Sequence, residues 1–113
     1  MKLKCLPEDF QVVELTDRWP NGRGPFALYR LIKRTLGTPE AIDAALHRWN
    51  LSRSQVSYGG LKDKHAVTEQ YVTIRNGPRR DLVQTNVEFQ YLGNTDRPFE
   101  PTDIAGNRFI LVM

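Results

Sequence analysis

The chain has 113 residues, 40% of them apolar and 10% aromatic, with 16 basic side chains against 13 acidic ones for a formal net charge of +3. This excludes a multidomain assembly and a fully disordered chain, and leaves one globular domain, or a piece of a larger one, with a modest core. A single cysteine, Cys5, rules out an internal disulfide, and two histidines without close ligand spacing offer no zinc site, so metal chemistry is not expected.

The opening residues Met1–Cys5 lack the long apolar stretch of a secretory leader. No later run approaches the length needed to cross a bilayer, so a soluble, cytoplasmic protein without a membrane partner is expected. Phe10–Leu15 is a short β-branched run and predicts a first strand. Trp19–Pro25 crowds two prolines, two glycines and an asparagine into seven positions and predicts an irregular loop. Phe26–Lys33 alternates, with Leu28 and Ile32 on one side and Ala27, Tyr29 and Leu31 on the other, as a largely buried second strand would.

Thr38-Pro39-Glu40 reads as a helix start, with Thr38 as N-cap and Pro39 in the first helical position. Ala41, Ile42, Ala45, Leu46 and Trp49 then recur at helical spacing and predict a helix packed on a sheet. Asn50 suits the left-handed C-terminal position, and Ser52–Gln55 has the spacing of a second, very short capping box. Two strands, Val56–Tyr58 and Thr68–Arg75, are expected to flank a charged loop. After the turn Asn76–Arg80 comes a strand at Val87–Leu92, then a loop over Gly93–Pro101. Phe109–Met113 is an apolar run with no polar terminator, which reads as a strand cut short and the chain as a fragment. The order of one helix among six strands predicts an α+β fold, a mixed and mainly antiparallel sheet with one main packed helix over residues 1–113.

Eleven of the sixteen cations are arginines, whose planar fork suits phosphates and base edges. The most unusual stretch is Tyr58-Gly59-Gly60-Leu61-Lys62-Asp63-Lys64, where paired glycines permit a tight turn or close approach to a ligand. A carboxylate bracketed by two ammonium groups stays ionised at neutral pH, which suits a nucleophile and not a general acid. In an extended backbone Lys62 and Lys64 would point away from the face of Asp63, free to meet phosphates. The competing reading is a solvated cap or surface ion pair.

Gly60-Leu61-Lys62-Asp63-Lys64-His65-Ala66-Val67-Thr68-Glu69-Gln70 resembles the signature of the TruD family of tRNA pseudouridine synthases. The family pattern is glycine, a variable residue, Lys-Asp-Lys, a variable residue, Ala-Val-Thr and a glutamine two places on, and every fixed position is met. Upstream, Lys4 with Pro7-Glu8-Asp9-Phe10 and Val13-Glu14 resembles the family's N-terminal segment. Downstream, Gly106-Asn107-Arg108-Phe109 resembles its Gly-Asn-x-Phe motif. The resemblance implies the N-terminal part of a catalytic domain that isomerises a uridine in the D arm of tRNA, with no metal and no organic cofactor. It implies Asp63 as the catalytic nucleophile, Phe109 as a stacking or wedging aromatic, and Asn107 as a hydrogen-bonding partner of the aspartate loop or the nucleotide. Lys4 would lie close to the catalytic carboxylate, Phe10 would line the same pocket, and Lys62 and Lys64 would meet the RNA.

This chain has Gly59 where the family usually has alanine or serine, which adds backbone freedom. It also lacks the Asn-Tyr-Phe-Gly-type segment and the inserted second domain of family members, so little activity is expected of these residues alone. Phe10 and Phe109 also fit ordinary core positions, and Asn107 after Gly106 also fits a bend at a strand entry. His65, at a variable position, and the helical His47 are expected at the surface, and Cys5 as a small buried apolar group. The alternative to an enzyme is a non-catalytic RNA-binding module whose phenylalanines stack and whose arginines neutralise phosphates.

Overall fold

The computed structural model describes residues 10–60 and 67–111, with side chains described at 11–60 and 67–110. Seven strands form one sheet: β1 (Phe10–Leu15), β2 (Phe26–Arg34), β3 (Val56–Tyr58), β4 (Val67–Arg75), β5 (Leu82–Gln84), β6 (Val87–Thr95) and β7 (Gly106–Leu111). The order across it is β5-β6-β2-β4-β1-β7, with β3 also on β4. Only β1 and β4 run parallel; every other pair is antiparallel. The expected α+β class and mixed sheet are therefore observed.

One helix, α1 (Thr38–Trp49), covers one face of the central strands. Alternation puts Ala27, Tyr29, Leu31, Val72, Ile74, Val87 and Phe89 on that face, where they meet Ala41 and Ala45 of the helix in one buried cluster. Tyr29, Trp49 and Phe89 close it as an aromatic triangle, with ring centroids 5.5–6.0 Å apart. Asn50 takes the left-handed conformation expected of it and ends the helix. The Ser52–Gln55 capping box forms as well.

The opposite face carries a smaller cluster of Leu28, Tyr71 and Phe99, with Leu92 and Ile104 against it. It is covered by the segment after β6, which Arg18 fastens. Arg18 Nη1 donates to the Pro98 carbonyl at 2.6 Å and to Asp103 Oδ2 at 2.9 Å, and its Nη2 donates to Thr95 Oγ1 at 2.9 Å. Burial alone would raise the Asp103 carboxyl; the Glu100 N–H, Arg18 and Arg97 outweigh it and hold the group below the usual carboxylate range.

Several expectations are corrected. Thr38 is the first helical residue and Gly37 the N-cap; the Thr38 hydroxyl is buried and donates to Gln70 Oε1 at 2.9 Å instead of capping the helix. A seventh strand, β5, forms from Leu82–Gln84, in a segment of mixed polarity that the sequence does not mark as a strand. β6 runs on through Gly93, which takes a positive φ of 137° near a register shift against β2, so the expected loop begins three residues later. β7 starts at Gly106, so Gly106-Asn107 is strand and not a bend.

Candidate active site

The outer edge of β4 is shared by two strands that do not meet. β1 pairs with its residues 67–69 and β3 with its residues 72–74, so Gln70 and Tyr71 face neither. The sheet splits there. On its other edge β4 pairs continuously with β2, which keeps the two positions rigid.

Side chains stand in for the missing strand. Glu14, at the end of β1 and 1% exposed, accepts the Tyr71 N–H on Oε1 at 3.0 Å. Gln70, fully buried, donates from Nε2 to the Gly60 carbonyl at 3.1 Å while its Oε1 accepts from Thr38. The chain leaving β3 through Gly59 and Gly60 is thus tied to the split, and residues 61–66 follow directly. Gly59 is a packing requirement and not merely a source of freedom: a Cβ on it would stand 2.4 Å from Ile104 Cδ1 and 3.2 Å from Phe99 Cε1.

The third motif arrives from the far side of β1. In the β1–β7 register Phe109 lies opposite Val12 and Asn107 opposite Glu14, and Val12 is in turn level with Thr68 of β4. Strict alternation therefore places Asn107, Phe109, Glu14, Thr68 and Gln70 on the same face, the one that α1 covers further along the sheet. Phe109 is 76% exposed and lies in neither buried cluster of the described residues. Asn107 is exposed. The buried Thr68 hydroxyl has no hydrogen-bond partner among the described residues.

Of the residues singled out in the sequence, Lys4, Lys62, Asp63 and Lys64 lie outside the described residues, as do Cys5 and His65. Phe10 opens β1, opposite Leu111, with its side chain outside the description. His47 is exposed on α1, as expected. The sequence names Glu14 only as part of the N-terminal motif and Thr38 only as a cap, and marks neither as a partner of β4. The position of Glu14 beside Val13 in the N-terminal motif was the available signal, whereas nothing local marks Thr38 as a partner of Gln70, 32 residues away.

A shallow groove of about 200 Å³ begins at Val67, the residue after the 61–66 segment, and runs past Ile32, Arg34 and Glu88 to Val83. A second cavity, about 440 Å³, lies by Arg18, Arg97 and Asp103, whose charges are engaged with one another. No group of three His, Cys, Asp or Glu residues able to hold a metal ion occurs among the described residues. Nor is any helix among them long and apolar enough to cross a membrane.

Comparison with known proteins agrees with this geometry. The family model described as tRNA pseudouridine synthase D (TruD) matches residues 1–113. The chain is 30% identical to tRNA pseudouridine synthase D of Aquifex aeolicus, aligning over 100% of its own length and 31% of the relative's. It is 33% identical to the tRNA pseudouridine synthase D of Vibrio cholerae, over 99% and 33%. A crystal structure of a TruD protein from Methanosarcina mazei superposes with a TM-score of 0.86 at 28% identity, covering 92% of this chain and 24% of that one. The chain thus spans about a third of the length of these curated relatives.

Proposed function

Since the chain belongs to the TruD family of tRNA pseudouridine synthases, we propose that it supplies the nucleophile-bearing part of a catalytic domain that converts a uridine in the D arm of tRNA to pseudouridine. The observation that carries this reading is the complete Gly-x-Lys-Asp-Lys signature starting at Gly60, with Gly60 tied to the sheet split on the face that also presents Asn107 and Phe109. Asp63 acts at the ribose of an everted nucleotide, kept anionic by Lys62, Lys64 and Lys4. The bond from C1′ to N1 breaks, a bond from C1′ to C5 forms, the C5 proton is released and N1 takes one up. Atoms and oxidation state balance within one nucleotide, so the chemistry calls for no redox partner, metal or organic cofactor.

The freed uracil must turn over without escaping, which requires a flat apolar surface against one face and an edge partner. Phe109 offers the surface and Asn107 the amide, both on a strand held at a fixed register to β1. Phe10 lines the same pocket. Lys62, Lys64 and the exposed Arg34 beside the groove meet phosphates of the tRNA, in the cytoplasm where tRNA is modified.

Asp63→Asn tests the reading in the protein at its native length. The substitution keeps size and hydrogen bonding, so tRNA affinity is expected to stay within about twofold, the margin left when no phosphate contact is lost. Tritium release from C5-labelled uridine in tRNA is expected to fall to background. Retained turnover rules out Asp63 as nucleophile. Salt-sensitive RNA binding with no turnover in the unsubstituted protein would favour the binding-module alternative.

A further inference from the structure

Gln70 closes the family signature, yet the ribose chemistry is assigned to Asp63 and leaves Gln70 without a role. Its carboxamide is fully buried and uses both ends: Oε1 accepts from the Thr38 hydroxyl at 2.9 Å and Nε2 donates to the Gly60 carbonyl at 3.1 Å. An amide is one of few side chains able to do both without charge. The Gly60 carbonyl, which can only accept, fixes which end of the amide faces which way, and the Thr38 hydroxyl, in the first turn of α1 on the core, braces the other end.

Gly59 and Gly60 are held in different ways. Gly59 is wedged against Ile104 and Phe99, whereas a Cβ built on Gly60 would meet nothing within 4 Å among the described residues. Among the described residues, packing holds the chain at Gly59, and what holds Gly60 is the hydrogen bond that its carbonyl accepts from Gln70. Gln70 is also one of the two β4 positions that neither β1 nor β3 pairs, so its side chain works at the split itself.

We propose that Gln70, braced by Thr38, is a positioning residue. It anchors the Gly60 carbonyl and so aims the segment bearing Asp63, three residues on, at the ribose. The inference rests on the reading of Asp63 as nucleophile. Misaiming a reacting group by about 1 Å is enough to cost roughly a hundredfold in rate, so the signature is a loss in turnover without a loss in binding.

Three variants in the protein at its native length test it. Gln70→Met keeps length and removes both bonds; kcat is expected to fall about ten- to a hundredfold with KM for tRNA within about twofold. Thr38→Val keeps shape and removes only the brace, and a smaller fall in kcat is expected; it serves also if Gln70→Met does not fold. Gln70→Glu supplies a conservative rescue. Its protonated form donates to the Gly60 carbonyl and accepts from Thr38, and its anion cannot donate. The ratio of its kcat to that of the unsubstituted protein at the same pH is therefore expected to rise as pH falls. Unchanged kcat in Gln70→Met and Thr38→Val, or a flat pH ratio for Gln70→Glu, overturns the positioning role. Turnover retained by Asp63→Asn would instead overturn the nucleophile assignment, and the two failures cannot be confused.

Discussion

The two halves of the sheet are built on different chemistry. Under α1, strands β2, β4 and β6 contribute apolar side chains almost without exception, and the interior is a close-packed aromatic and aliphatic cluster. At the split, the buried positions are Glu14, Thr68 and Gln70, joined to Thr38, and the neighbouring ring of Phe109 stands in solvent. The first half gains from removing apolar area from water. The second gains little, because Glu14 and Gln70 exchange one hydrogen bond for another and the Thr68 hydroxyl finds no partner among the described residues, but it fixes direction. One half carries stability, the other geometry.

The comparison is broken most directly by exchanging two phenylalanines. Phe89 is fully buried in the aromatic triangle, so Phe89→Ala should cost about 3–5 kcal/mol in urea unfolding, a large share of what a domain this size holds. Phe109→Ala, on the exposed strand, should stay within about 0.5 kcal/mol. A comparable loss at both positions would mean that the two halves do not differ as described.

The opposite face offers a test of intermediate size. Asp103 joins Arg18 to the covering segment with its side chain 7% exposed, and Asp103→Asn should cost about 1–3 kcal/mol through the charge-assisted bonds it loses. The folded-state carboxyl lies below its ordinary value. Its stabilisation is thus complete above the unfolded carboxylate pKa of about 3.9 and is lost as pH falls through the lower, folded one. Urea midpoints should fall more steeply from pH 5 to pH 2 in the unsubstituted protein than in Asp103→Asn. Parallel curves would show that Asp103 is not the group that titrates.

These differences also explain which parts of the structure the sequence disclosed. Apolar periodicity is a local signal: the stripe from Ala41 to Trp49 and the alternation in β2 and β4 predict the helix and the covered strands to within a residue or two. Thr38 misleads because a hydroxyl before Pro39 looks like a cap, and its real partner, Gln70, is brought to it only by the β2–β4 pairing. β5 escapes because Leu82–Gln84 lies in a segment of mixed polarity after the Asn76–Arg80 turn, and its pairing with β6 is a property of the hairpin. The motifs around Asp63 and Asn107 were legible as a family resemblance. Their convergence on one face of the sheet was not, since it depends on a parallel pairing of β1 with β4 across more than fifty residues.

The smallest effect discriminates most finely, because it compares two adjacent glycines. Gly59→Ala drives a methyl into Ile104 and Phe99; the tip of Ile104 can turn aside, so the cost should be about 1 kcal/mol, at the low end for overpacking. Gly60→Ala meets nothing among the described residues, and its φ lies outside the left-handed range, so the added Cβ mainly restricts the unfolded chain. A gain of about 0.4–1 kcal/mol is expected from that restriction. Opposite signs in thermal unfolding would confine packing to Gly59 and leave Gly60 to the carboxamide of Gln70. A loss at Gly60 as well would mean that something beyond this single hydrogen bond holds the root of the segment, and the division between a packed half and an aimed one would have to be redrawn one residue later.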